Sequence, residues 1–207
     1  MPSDLRTRDA ILQAFRDIVV ESGERSATIT TTAARAGVSK GGLFYYFPTR
    51  DALVEALIES LDDLNRDHCD RIRTAKEGPI AYFLRDAIAT GTPLDLALTA
   101  VTRLDQSGKH PRARPALDRV VREWRQTLED VLADAPLARI VEVLGDGLFF
   151  NSSLAGSADA VVAPRITSFE LEEMIAIIAS FHRASREAAG PRGAASAVGR
   201  ETQSAGP

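Results

Sequence analysis

Apolar residues recur along this chain at intervals of three and four, the spacing of one helix face, and Gly and Pro fall where one helix must give way to the next. The first stripe, Ile11, Leu12, Phe15, Ile18 and Val19, predicts a helix over about residues 5–21, stopped by Ser22 and Gly23. After a short connection Thr28 is placed to cap a second helix, which runs through Ala33, Ala34 and Ala36 to Gly37, a residue able to adopt the left-handed backbone of a helix end. Val38 can fill the angle between two helices, and Ser39 caps a third over residues 40–46. Pro48 ends it. Thr49 then caps a long fourth helix to about residue 76, with Leu53, Val54, Leu57, Ile58, Leu61 and Leu64 as its buried stripe; at ~1.5 Å per residue it reaches about 40 Å, enough to join two domains.

Further breaks at Gly78-Pro79 and at Gly91-Thr92-Pro93 delimit a helix containing Tyr82, Phe83, Leu84 and Ile88, and the next over residues 94–104 is mostly apolar, as suits a buried member of a bundle. Residues 107–115, SGKHPRARP, form a basic loop expected to be solvated. The stripe Leu117, Val120, Val121, Trp124, Leu128, Val131 and Leu132 marks a helix over residues 116–134, and Pro136 opens another that is apolar on more than one face, with Gly145 and Gly147 leaving room for close helix approach. Thr167 and Glu170 form a capping box for a last helix to about residue 186. Residues 188–207 are small, polar and aperiodic, and are expected to be disordered.

The third helix is short, and its chemistry is specific. Leu43 and Phe47, four apart, form the natural inward pair, which leaves Lys40, Gly41, Gly42, Tyr45 and Tyr46 on the outer face. Bare glycine backbone permits close approach there, and Lys and Tyr reach phosphates. This is a helix-turn-helix pattern with residues 40–46 as the recognition helix in a DNA major groove.

The run AGVSKGGLFYYFPTRDAL, residues 36–53, resembles the DNA-binding signature of the tetracycline-repressor (TetR) family of bacterial transcription regulators, with Gly37, Val38, Ser39, Lys40, Gly41, Leu43, Tyr45, Phe47 and Leu53 at the family's spacing. Three positions depart from it: Thr32 replaces an aliphatic residue, Gly42 a Thr, Ser or Ala, and Phe44 a Tyr. The resemblance implies an all-α fold, in which a three-helix DNA-binding domain is joined by the long helix to a C-terminal helical ligand-binding and dimerisation domain. The corresponding divisions are residues 1–50, 51–187 and the tail 188–207. It further implies a homodimer on a double-stranded DNA operator, released by a small-molecule effector. The expected DNA-facing residues are Thr28 and Thr30 at the start of the second helix, Ser39, Lys40, Gly41, Gly42, Tyr45 and Tyr46 around the third, and Arg50 in the first turn of the fourth.

Charge changes this picture little. The 207 residues carry a net charge of −4, yet residues 1–50 sum to +2 and the remainder to −6, a mildly basic head on an acidic body. With 44% hydrophobic and 26% charged residues the composition is that of a soluble chain, and no apolar run approaches the ~20 residues of a membrane span. One cysteine, Cys69, precludes an intrachain disulfide, so a cytoplasmic protein with no membrane partner is expected.

No catalytic constellation or metal-ligand spacing is present, so neither an enzyme nor a cofactor is expected, and His68, His110 and His182 read as surface or packing residues. Among the C-terminal aromatics, Trp124, Phe149, Phe150, Tyr82 and Phe83 could line a pocket or fill a core, core being favoured for any one of them; Trp124, Phe149 and Phe150, with Asn151 to orient a ligand, are the candidate lining of an apolar pocket. The leading reading is a ligand-released repressor. A DNA-binding regulator without a small-molecule ligand is the alternative, and a helical enzyme with a coincidental helix-turn-helix is the third.

Overall fold

Nine α-helices and one 3₁₀ turn account for the elements of the described residues, which in the computed structural model are 2–89, 91–154 and 166–189. They are α1 (Pro2–Ser22), the 3₁₀ turn Glu24–Ser26, α2 (Ile29–Arg35), α3 (Lys40–Tyr46), α4 (Arg50–Thr74), α5 (Pro79–Ala87), α6 (Pro93–Gln106), α7 (Ala113–Leu132), α8 (Ala135–Leu154) and α9 (Ser168–Ala189). Helices α1–α8 lie in one compact unit and α9 in a second. The fold is all-α, as the helical spacing predicts.

Local chemistry explains where the helices begin. The Thr28 hydroxyl accepts the Thr31 N–H at 3.1 Å while the Thr31 hydroxyl accepts the Thr28 N–H, a reciprocal cap built from two threonines. Ser39 caps α3 through the Gly42 N–H, Thr49 caps α4 through that of Ala52, and Thr92 caps α6 through that of Asp95. Prolines 79 and 93 occupy the first helical position, where the missing N–H costs nothing. Between α2 and α3, Gly37 sits at φ +68°, and the Val38 N–H bonds back to the Ala33 carbonyl at 3.0 Å. A side chain at Gly37 would strain this turn.

One continuous core runs from the N-terminal helices into the body. Ile11, Phe15 and Val19 of α1 meet Leu43 and Phe47 beside α3 and Leu53, Leu57 and Leu61 of α4; the same cluster continues through Ala97, Val101 and Leu104 of α6 to Val120 of α7. Helix α6 packs on both α1 and α4, α7 on α4 and α8, and α5 on α4 and α8. Helices α1–α3 and the body therefore share apolar contacts, so displacement of α4 or α6 is felt in both.

Two expectations are corrected. The first helix starts at Pro2 rather than near residue 5, and the basic loop is shorter than residues 107–115, because α7 begins at Ala113 and takes Arg114 and Pro115 into its first turn. Nor is that segment simply solvated. Lys109 binds Glu24 at 3.2 Å, Arg112 pairs with Glu55, and Arg114 binds Asp105 at 2.6 Å, so its cations tie the α6–α7 connection to the rest of the chain. The expected disordered tail falls, from residue 190 onward, outside the described residues.

Candidate nucleic-acid interface and ligand cavity

The outward side of α3 is laid out by its two anchors. Leu43 and Phe47 are buried, and Arg8 lies over the Phe47 ring with its guanidinium carbon 5.1 Å from the centroid. This leaves Lys40 and Gly41 exposed, Gly42 partly so, and Tyr45 at 75% exposure. The Tyr45 and Tyr46 rings meet edge to face at 4.9 Å, which steadies Tyr45 without covering it. Thr28 and Thr30 are also exposed.

Some candidate side chains already hold partners within the chain. The Ser39 hydroxyl accepts the Gly42 N–H at 3.0 Å, and that of Thr28 is engaged with Thr31. Tyr46 is half-buried and its hydroxyl donates to the Asp4 carboxylate; that hydrogen bond first, and desolvation second, push the phenol pKa upward. Arg50 turns inward: its Nε donates to the Ala27 carbonyl at 2.9 Å, and its Nη2 to the Glu24 carbonyl at 2.9 Å and carboxylate at 2.6 Å. Its guanidinium thus braces the α1–α2 connection. Of the candidates, Lys40, Gly41 and Tyr45 present the most accessible surface for DNA.

In the body, five helices each place a side chain around a cavity of about 180 Å³: His68 from α4, Phe83 from α5, Leu98 from α6, Trp124 from α7 and Phe149 from α8. The His68 ring lies 5.5 Å from that of Trp124, and Phe83 meets Trp124 edge to face at 5.9 Å. Helices α5 and α8 come this close because position 145 has no side chain; a Cβ there would stand 2.5 Å from Phe83 Cε1. The indole N–H of Trp124 is buried without a hydrogen-bond partner. Asp86, Asp95 and Asp146 supply the acidic lining, and His68 Nδ1 lies 3.2 Å from an Asp86 oxygen.

The cavity takes Trp124 and Phe149 of the four expected residues. Phe150 and Asn151 do not line it: both are exposed on α8, Phe150 at 63%, because successive helical residues diverge by about 100°. Sequence reasoning missed His68, which is buried, along with the three aspartates. A signal for His68 existed. Positions 57, 61, 65, 68 and 72 form one helical stripe, and Asn65 and His68 are polar residues on an otherwise apolar face.

A buried ionic joint ties α7 to α8. Glu142 on α8 is fully buried and takes Arg125 of α7 at 2.8 and 2.9 Å and Arg139 at 2.8 Å. Burial alone would raise its pKa, but the two guanidinium groups outweigh this and hold the carboxyl below its ordinary range. Among the described residues no cluster of His, Cys, Asp or Glu could hold a metal ion, and no helix is long and apolar enough to cross a membrane.

Comparison with known proteins places this geometry. The family model described as bacterial regulatory proteins, tetR family, matches residues 11–57, the segment that contains α2, the turn and α3. The HTH-type transcriptional regulator BetI of Klebsiella pneumoniae (strain 342) is 28% identical over 177 residues, covering 78% of this chain and 90% of BetI. Among solved structures, Salmonella enterica GusR aligns with a TM-score of 0.58 at 21% identity, over 86% of this chain and 96% of GusR. NalD, the secondary repressor of the MexAB-OprM multidrug efflux pump in Pseudomonas aeruginosa, aligns at 0.57 and 18% identity, over 86% of this chain and 97% of NalD. These structural likenesses establish the fold, and the match over residues 11–57 places this N-terminal segment in the tetR family of bacterial regulatory proteins, which marks the chain as a DNA-binding transcriptional regulator.

Proposed function

We propose that this regulator is a homodimeric repressor, acting in the cytoplasm, that a small and largely apolar molecule releases from its operator by entering the cavity. The observation that carries the reading is the continuity of α4. Leu53, Val54 and Leu57 near its start are in the core beneath α3, and His68 further along it lines the cavity. A ligand that repositions His68 acts on the same rigid helix that seats the DNA-binding helices. Residues 1–50 then serve as the DNA-binding part and residues 51–187 as the regulatory part.

A dimer follows from the requirement for two recognition helices, whose spacing must match successive major grooves about 34–36 Å apart. Helix α8 offers an apolar outer face in Ile140, Val143 and Phe150, all more than half exposed, with Gly147 between the last two. On α9, Phe169, Ile177 and Phe181 are exposed in the same way. A ligand shifts the equilibrium only by its difference in affinity between DNA-competent and released states, and tenfold weaker operator binding corresponds to about 1.4 kcal/mol of that difference.

The test uses an operator selected from DNA flanking the gene and a panel of apolar compounds. Release of DNA and a change in Trp124 emission should occur over the same concentration range, since Trp124 is the sole tryptophan. Compounds that release DNA but leave the emission unchanged, with Trp124→Phe responding like the parent, would move the sensing site elsewhere. Light scattering should return twice the 22.3 kDa chain mass, and Phe150→Glu should shift it toward the monomer.

A further inference from the structure

Resting on α3 as the helix that enters the major groove, we propose that it reads its operator through thymine methyl groups, with the Phe44 ring as the contact that decides specificity. The first ground is what α3 lacks. Base edges in the major groove are told apart by Arg or Lys on guanine, Asn or Gln on adenine, Asp or Glu on cytosine, and apolar groups on the thymine methyl. The α3 sequence KGGLFYY holds no Arg, Asn, Gln, Asp or Glu, and Lys40 is its one cation. Of the nearby hydroxyls, that of Ser39 accepts the Gly42 N–H and that of Tyr46 donates to Asp4. Lys40 and the Tyr45 hydroxyl are left for polar contact, and the rest of the reading surface is apolar. The two α3 positions that depart from the family signature move the same way: Phe44 in place of Tyr gives up a hydroxyl, and Gly42 in place of Thr, Ser or Ala offers none.

The second ground is an aromatic ring with no role inside the protein. Phe44 is 46% exposed, lies outside the core cluster, and among the described residues stacks on no other ring. It stands one turn beyond Lys40 and Gly41 and shares their face of the helix. Tyr45, 75% exposed and braced by the edge of Tyr46, is its neighbour. Together the two rings make an apolar patch that a DNA duplex would take out of water, and the apolar group that the major groove offers them is the thymine methyl.

The third ground is the bare backbone before this ring. The nearest side-chain atom to a Cβ at Gly41 would be Ser39 Oγ at 3.9 Å, and to a Cβ at Gly42 the same atom at 3.4 Å, both ordinary contacts. The fold thus has room for alanine at either position, and glycine weakens a helix relative to alanine, so the protein's own packing does not call for these glycines. Their effect falls outside the protein. With no side chain on the turn that precedes it, Phe44 can lie flat against a base edge.

The test takes a duplex selected from a random library by the full chain and replaces its thymines one at a time by deoxyuridine, which keeps the base pair and loses only the methyl group. Fluorescence anisotropy should reveal a thymine at which binding weakens about fourfold, the worth of one methyl group removed from water. In Phe44→Ala the same replacement should change nothing, with the helical circular dichroism kept; Phe44→Leu, still apolar, should retain part of the sensitivity. Equal affinity of the parent for thymine and uracil at every position overturns the methyl reading. So does a Phe44→Ala variant as sensitive as the parent, since the methyl group then belongs to another residue. Lys40→Ala separates the two levels: if it weakens the complex, α3 stays in the groove and only the Phe44 assignment falls, whereas if it too leaves affinity unchanged, α3 is not the reading helix.

Discussion

Arg50 holds Glu24 twice, through the side-chain carboxylate at 2.6 Å and the backbone carbonyl at 2.9 Å, and so pins the connection between α1 and α2 to the first turn of α4. Lys109 and His110, from the α6–α7 connection, approach the same carboxylate at 3.2 and 3.5 Å. Glu24 is therefore a joint between the DNA-binding helices and the body. Burial raises its pKa, but Arg50, Lys109 and His110 together outweigh that and leave the carboxyl below its ordinary range.

Removing Arg50 should expose this role. Arg50→Ala leaves a buried carboxylate with only its two weaker partners, and should cost about 2–3 kcal/mol in denaturant unfolding, less than a fully orphaned buried charge. An arginine whose only role was to touch DNA would leave the unfolding midpoint unchanged. The pH dependence has a definite sign. Because Glu24 has a lowered folded pKa, its ionised contribution is fully present above the unfolded value of about 4.3 and disappears as pH falls through the folded value. The stability gap between the parent and Glu24→Gln should accordingly be wide at neutral pH and close in acid.

On α3, Lys40→Ala should weaken binding to every DNA sequence and lower the salt slope of log affinity by about one unit, the signature of one lost phosphate contact. Tyr45→Phe should weaken the operator complex without altering unfolding, since the ring is 75% exposed and its hydroxyl supports no buried contact. Anisotropy titrations at several salt concentrations, with circular dichroism as the folding control, decide both. Affinities unchanged at every salt concentration would remove α3 as the reading head.

Thr32, the departure from an aliphatic residue on α2, is fully buried and its hydroxyl finds no partner. Thr32→Val keeps the shape and removes the unsatisfied oxygen, so it should stabilise the protein by about 1 kcal/mol. Thermal unfolding should show a higher midpoint at unchanged operator affinity; a lower one would mean that the hydroxyl is satisfied in solution.

Gly145→Ala should drive a methyl group into Phe83 and either tilt that ring into the cavity or force α5 and α8 apart. The expected cost is about 1–3 kcal/mol, with a shifted Trp124 emission, because Phe83 packs against that indole. Adding Phe83→Leu should recover part of the lost stability by making room for the methyl group. No recovery in the double variant would place the strain elsewhere.

Helix order, caps and the inward pair of α3 were legible along the chain because each depends on residues within about four positions of one another: Ser39 with Gly42, Thr167 with Glu170, Leu43 with Phe47. The same locality explains why Gly37 could be recognised as the turn. What required the folded chain was every relationship between distant helices. Only packing brings His68, Phe83, Trp124 and Phe149 around one cavity and sends Phe150 outward, since a stripe of apolar residues does not say which neighbour covers it. Only packing turns Arg50 and Lys109 onto Glu24, because a long cationic side chain takes its partner from whatever carboxylate the tertiary fold brings within reach, here 26 and 85 residues away in sequence. Short-range hydrogen bonds and periodicity determine which segments are helices, while shape complementarity and buried charge, which act across space, decide what those helices do together.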